Sequence, residues 1–232
     1  MQINKKPSPF LLTPGPLTTS LATKKAMLND IGSWDNDFKQ ITQEIREKLI
    51  QILLETSTQN PSLTSDPYIA IPMQGSGTFS VEAMLGSFVP KNGKALVLSN
   101  GTYGLRCFES LKYFNRPSEI LNFGDFLPPD PILLQEKLKN DQSITHVIII
   151  HCETSSGILN PITEIAKIVE KEHRSLLIDS MSAFGAIPID AGKIKFDALV
   201  SSANKCIEGV PGFGFVLAKK SVLVKSNNQS HS

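Results

Sequence analysis

Five residues, His146-Val-Ile-Ile-Ile150, decide the fold class. The run is apolar at consecutive positions, so it presents oily side chains to both faces of any strand it forms. Such a strand belongs in a sheet covered on both sides. Working outward, residues 94–99 (Lys-Ala-Leu-Val-Leu-Ser) have the same character, and 176–178, 198–200 and 213–217 add further strand-like runs. Tyr68-Ile-Ala-Ile71 reads as a strand stopped by Pro72, and 120–123 as a weaker one. Helical spacing lies between them. Phe38, Ile41, Ile45, Leu49, Ile52 and Leu53 recur every three or four residues after a cap at Asp35 or Asn36. Further helices are expected over 78–85, 103–113 and 131–139, and another after Asn160-Pro161, which would supply its cap and first turn. Apolar runs alternating with helices predict an α/β fold: a mostly parallel sheet of about seven strands sandwiched by helices.

Composition narrows the partners. The 232 residues carry 23 Lys+Arg against 22 Asp+Glu, a formal charge of +1, which offers no field for nucleic acid or an anionic membrane. No apolar run approaches the ~20 residues of a membrane-crossing helix. The start, Met1-Gln-Ile-Asn-Lys-Lys-Pro7, breaks at proline where a secretory signal would turn apolar. Cys107, Cys152 and Cys206 are odd in number and contain no Cys-x-x-Cys pair, so neither a disulfide framework nor a zinc site is expected. A cytoplasmic protein with no metal follows as the expectation.

Ligands of open parallel sheets sit at the carboxyl ends of the strands. Small and polar residues gather there: Gln74-Gly-Ser-Gly-Thr78, Asn100-Gly-Thr-Tyr-Gly104, His151-Cys-Glu-Thr-Ser-Ser-Gly157, Asp179-Ser180 and Ser201-Ser-Ala-Asn-Lys205. Each has an ordinary alternative. The Gly75-Ser-Gly-Thr78 turn either starts a helix or cradles an anion on its free amides. Asp179 either caps a loop or partners a cation. Lys205 is either one surface lysine among many or a nucleophile beside the Gly- and Pro-rich stretch 209–215. Together, a phosphate-cradling turn, a strand-end acid and a lysine suit pyridoxal phosphate. The turn would hold the phosphate, Asp179 the pyridine nitrogen and Lys205 the aldehyde carbon as a Schiff base.

The segments Ile178-Asp-Ser-Met-Ser-Ala-Phe-Gly185, Ser201-Ser-Ala-Asn-Lys205 and Gly209-Val-Pro-Gly-Phe-Gly-Phe215 resemble the class V aminotransferases, within the fold-type I pyridoxal-phosphate enzymes. Leu11-Leu-Thr-Pro-Gly-Pro-Leu-Thr-Thr19, Gly32-Ser-Trp-Asp35, Gly75–Ala83 and His151–Gly157 resemble the branch that moves an amino group from 2-aminoethylphosphonate to pyruvate. The resemblance implies Lys205 and Asp179 as the catalytic pair and Ser76, Gly77 and Thr78 as the phosphate turn. It implies Tyr103 stacked on the cofactor ring, Thr154 near its ring oxygen, and Ser202 and Asn204 lining the cup. Thr18 and Thr19 fall in a segment that reaches the substrate; either alternatively caps the next helix. His151 is expected to support the site by hydrogen bonding, and Cys152 and Cys206 to pack.

The expected organisation is an N-terminal substrate-contacting segment and link over 1–36 and a cofactor-binding large domain over 37–232. Family members continue into a smaller C-terminal domain that supplies an arginine for the substrate anion. That domain is expected to be absent here, since no arginine follows Arg174. The resemblance further implies a homodimer. The other class V aminotransferases of alanine– or serine–glyoxylate type, or an inactive fragment that retains the fold, are the competing readings.

Overall fold

The computed structural model describes residues 9–58 and 67–230. The first eight residues of the N-terminal segment, 59–66, and the last two residues lie outside the described residues. A seven-stranded sheet forms the centre, in the order β1-β9-β8-β7-β4-β2-β3. The strands are β1 (Tyr68–Gln74), β2 (Lys94–Ser99), β3 (Ser118–Asn122), β4 (Ile144–Ile150), β7 (Ser175–Asp179), β8 (Ala198–Ser202) and β9 (Phe213–Lys219). Every neighbouring pair from β8 to β3 is parallel, whereas β9 runs antiparallel to both β8 and β1. Six strands therefore share one direction, as expected of a mostly parallel sheet. A small antiparallel pair, β5 (Cys152–Glu153) and β6 (Ile158–Leu159), stands beyond the expected elements.

Consecutive residues of the central strands divide between two cores, as the period of a strand requires. Leu96, Leu98, Val147, Ile149, Leu176, Ile178 and Leu199 face one core, with α2 (Asn36–Glu55), α5 (Pro131–Asn140) and α6 (Ile162–Lys171) over them. Ala95, Val97, Ile148, Ile150, Leu177, Ala198 and Val200 face the other, under α3 (Gly77–Phe88) and α4 (Thr102–Tyr113). Each buried Leu or Ile contributes roughly 1.5–3 kcal/mol of transfer free energy, so the doubly covered strands form the stable frame. Asp179 falls on the same strand face as Leu177. The alternation thus directs it to the α3/α4 side.

Three local expectations change. Pro72 does not end β1, which continues to Gln74 with Pro72 opposite Phe215. β1 is an edge strand, where a residue without an N–H costs the ladder nothing. Asn160 does not cap α6: Pro161 occupies that position, and the Asn160 amide donates to the Ile150 carbonyl at 2.8 Å and pairs with the Asn100 side chain. At the start of α2, Phe38 and Ile41 are exposed, and burial is concentrated at Leu49 and Leu53.

Candidate active site

The direction of β9 assembles the site. The carboxyl ends of β1, β7 and β8 and the amino end of β9 share one edge, so the loop 203–212 from β8 to β9 passes beside the turn that follows β1. The Gly75 amide donates to the Gly212 carbonyl at 3.0 Å. A cleft of about 240 Å³ opens there, lined by the Gly75–Thr78 turn, Tyr103, Arg106, Asp179, Met181 and Asn204–Lys205, among others.

Ser76 caps α3, its hydroxyl accepting from the Phe79 amide at 3.2 Å. Gly75 takes φ +119°, a conformation that glycine alone adopts without strain. A Cβ on Gly77 would collide with the Met181 sulfur. Among the described residues nothing accepts from the Gly77 and Thr78 amides, which lie at the positive end of the helix dipole. The Thr78 hydroxyl is 3.4 Å from the Arg106 guanidinium.

Asp179 is only 3% exposed. One oxygen accepts from the Met181 amide at 2.9 Å. Burial raises its carboxyl from 3.8 to about 6, and the Glu153 charge adds to the rise; the Met181 bond, Arg106 and Lys205 offset part of it. A carboxylate so placed favours a cationic hydrogen-bond partner in the cleft. Lys205 is half-buried, and its ammonium donates to the Gly15 carbonyl at 3.2 Å. The N-terminal segment is also tied by the Leu17 amide to the Asn204 carbonyl at 3.2 Å. Side-chain room at position 15 is nil, because a Cβ there would overlap the Lys205 stem.

Ser202 donates to the Asn204 amide oxygen at 2.9 Å and lies beside Gly77. Thr154 sits in the turn between β5 and β6 and is not among the lining residues. Thr18 accepts from the Leu11 amide at 2.6 Å; Thr18 and Thr19 also lie outside the cleft lining. Neither caps the following helix α1 (Leu21–Ala26), since Ser20 does so through Thr23 at 3.1 Å. Cys107, Cys152 and Cys206 are unpaired, and the Cys206 thiol donates to the Ser182 carbonyl.

His151 is buried behind the site. Its Nδ1 is 2.9 Å from the Ser180 hydroxyl, and its amide donates to the Asp179 carbonyl at 2.7 Å. Burial lowers the imidazole from 6.5 to about 4. The folded ring therefore stays neutral where the unfolded one binds a proton. Its contribution to stability is complete above pH 6.5 and is lost as pH falls toward 4, by up to roughly 3 kcal/mol. Urea midpoints measured across that window should fall with acidification in the parent, and fall less in His151→Asn. Equal slopes would remove His151 from the acid response.

Arg106 and Glu153 join the site without having been singled out in the sequence. Arg106 lies one turn beyond Tyr103 on α4, its guanidinium 5.1 Å from the ring centroid. The i, i+3 spacing was the available signal. Glu153 is wholly buried, and its signal was an acid three residues past the strand that ends at Ile150.

A mostly parallel sheet thus carries a lysine, a buried acid and open helix amides together at its carboxyl edge. Residues 127–230 match the family described as Aminotransferase class-V. The chain is 54% identical over 224 residues to the 2-aminoethylphosphonate–pyruvate transaminase of Rhizobium meliloti (strain 1021), covering 97% of this chain and 56% of the relative. Identity is 53% to 2-aminoethylphosphonate–pyruvate transaminase 1 of Paraburkholderia xenovorans (strain LB400), over 98% of this chain and 57% of that one. The chain thus spans little more than half the length of these curated relatives. Among solved structures, ureidoglycine–glyoxylate aminotransferase from Bacillus subtilis superposes with a TM-score of 0.84 at 20% identity, over 99% of this chain and 58% of that one. Pyridoxamine–pyruvate aminotransferase from Mesorhizobium loti gives 0.81 at 22%, over 100% and 57%. At such identities the structures establish the fold. Similarity to the class V aminotransferases thus covers residues 127–230 by the family match and 97–98% of this chain by the curated relatives.

Proposed function

We propose that this chain is the cofactor-binding part of a pyridoxal-phosphate-dependent transaminase that moves the amino group of 2-aminoethylphosphonate to pyruvate, giving phosphonoacetaldehyde and alanine. One observation carries the proposal: buried Asp179, Lys205 and the open amides of α3 line a single cleft. The donor set suits that cofactor, with amides and hydroxyls for a phosphate, a carboxylate for a protonated ring nitrogen and an amine for an aldehyde carbon. Bound pyridoxal phosphate supplies a ring that accepts electron density from the substrate carbon.

In this proposal Ser76, Gly77 and Thr78 hold the phosphate, and Tyr103 covers one face of the ring. Asp179 keeps a proton on the ring nitrogen. Ser202 and Asn204 shape the cup, and Thr154 serves the ring oxygen from its turn. Lys205 would hold the cofactor through Nζ, and the same amine would carry the proton moved in transamination. Thr18 and Thr19 act on the substrate from residues 1–36, while 37–232 provide the cofactor domain.

The unpaired thiols suit a reducing cytoplasm. The exposed apolar side chains of Phe10, Leu12 and Trp34 suit cover by a second copy in a homodimer. Presenting 2-aminoethylphosphonate, alanine and serine as amino donors, with pyruvate or glyoxylate as acceptor, tests the assignment. Turnover should be greatest for 2-aminoethylphosphonate with pyruvate, and light scattering should give twice the chain mass. Preference for serine or alanine with glyoxylate would reassign the substrate, and a monomeric mass would remove the dimer.

A further inference from the structure

Two helices, α3 and α4, begin beside the cleft, and their first turns are treated in opposite ways. On α3 the Gly77 and Thr78 amides are open. On α4 the cap residue is Gly101, which has no side chain to offer. Its amides are nonetheless all taken. The Thr102 amide donates to the Ser155 hydroxyl at 3.0 Å, and the Leu105 amide to the Gly101 carbonyl at 3.2 Å. The Tyr103 and Gly104 amides donate to the two oxygens of Glu153, at 3.4 and 3.3 Å. Glu153 also accepts from the Ser155 amide at 3.2 Å and hydroxyl at 2.6 Å.

We propose that Glu153 is the positioning residue of the cleft: an internal carboxylate, delivered from β5, that replaces the missing cap of α4 and so fixes Tyr103 and Arg106 on the cleft wall. The amides it takes belong to the second and third helical residues, the pair that a cap side chain ordinarily serves. By filling the anion position of α4 from within, it leaves α3 as the first turn open to a ligand phosphate. The site is cut to fit, since a Cβ on Gly101 would overlap the Glu153 side chain and the Ser155 hydroxyl. Its charge also helps keep the neighbouring Asp179 carboxyl high, second to burial and beside the opposing Met181, Arg106 and Lys205. The part of this inference that concerns ligand affinity rests on the proposed cofactor site.

A double-mutant cycle tests it. Gly101 has φ 163°, an extended conformation open to any residue once the space is free. Removing Glu153 clears its own side chain and releases the Ser155 hydroxyl that it holds, which can then rotate away, so an acid at 101 can reach the same two amides. Glu153→Ala should weaken pyridoxal phosphate binding about tenfold and lower the urea midpoint, because buried amides lose their acceptor. Gly101→Asp alone should also be damaging, by collision. Combined, the two should recover affinity to within about threefold of the parent, a reversal of sign that simple loss of packing does not produce. Glu153→Gln, which keeps the shape and one acceptor, should fall between parent and Glu153→Ala and serves if the latter fails to fold. Glu153 variants that keep parental affinity, or a double variant no better than its singles, would overturn the proposal. If the parent binds no pyridoxal phosphate, the cofactor assignment falls, and the midpoints of the same four proteins decide the capping role.

Discussion

Lys205→Ala is expected to abolish the visible absorbance that pyridoxal phosphate acquires when bonded to a protein amine. Borohydride reduction of the parent should fix the cofactor's mass on the peptide carrying Lys205, and the variant should show no such adduct. Turnover should drop by about a thousandfold or more, because one amine serves both to hold the cofactor and to move the proton. The fold should survive. The side chain is half-buried and its one hydrogen bond, to the Gly15 carbonyl, contributes about 1 kcal/mol. Unaltered absorbance in the variant would place the nucleophile elsewhere.

Asp179→Asn should separate stability from function. Asp179 titrates near 6 in the fold against 3.8 ordinarily, mainly because it is buried. Between these values the native state binds more protons than the unfolded state, so rising pH withdraws stability across pH 3.8–6, by up to roughly 3 kcal/mol. Asparagine can still accept from the Met181 amide and carries no charge to desolvate. The variant should therefore be the more stable protein at pH 7 in the absence of cofactor, and its urea midpoint should lack that part of the pH slope. Turnover should nevertheless fall by about a hundredfold or more, since an amide cannot hold a proton on the ring nitrogen as a carboxylate does. Near-normal turnover would refute the role. A variant no more stable than the parent at pH 7 would show that burial of the charge is compensated in the fold.

These two residues were legible in the sequence because of where they stand in it. Asp179 ends the apolar run beginning at Leu176, and Lys205 follows the run 198–200 through small residues, so both are charges at strand ends. The turn Gly75–Thr78 was legible for a similar reason. Edge effects were less so. Pro72 reads as a terminator unless β1 is known to be the outermost strand. Asn160 reads as a cap unless it is known that Asn100, 60 residues away in sequence, stands ready to pair with its amide. Arg106 looked like any helix arginine, and Glu153 like a residue of an irregular stretch.

The sequence by itself determined the layered α/β fold, since runs apolar at every position have no stable place outside a doubly covered sheet. It also determined the chemical types at the carboxyl edge. Only the tertiary structure decided which of them meet. The reversed β9 brings the Lys205 loop back against the turn after β1, and β5 carries Glu153 under the start of α4. Both are contacts between residues dozens of positions apart. Local periodicity records which face of an element is buried, but not which neighbour covers it, and the cleft is made of neighbours.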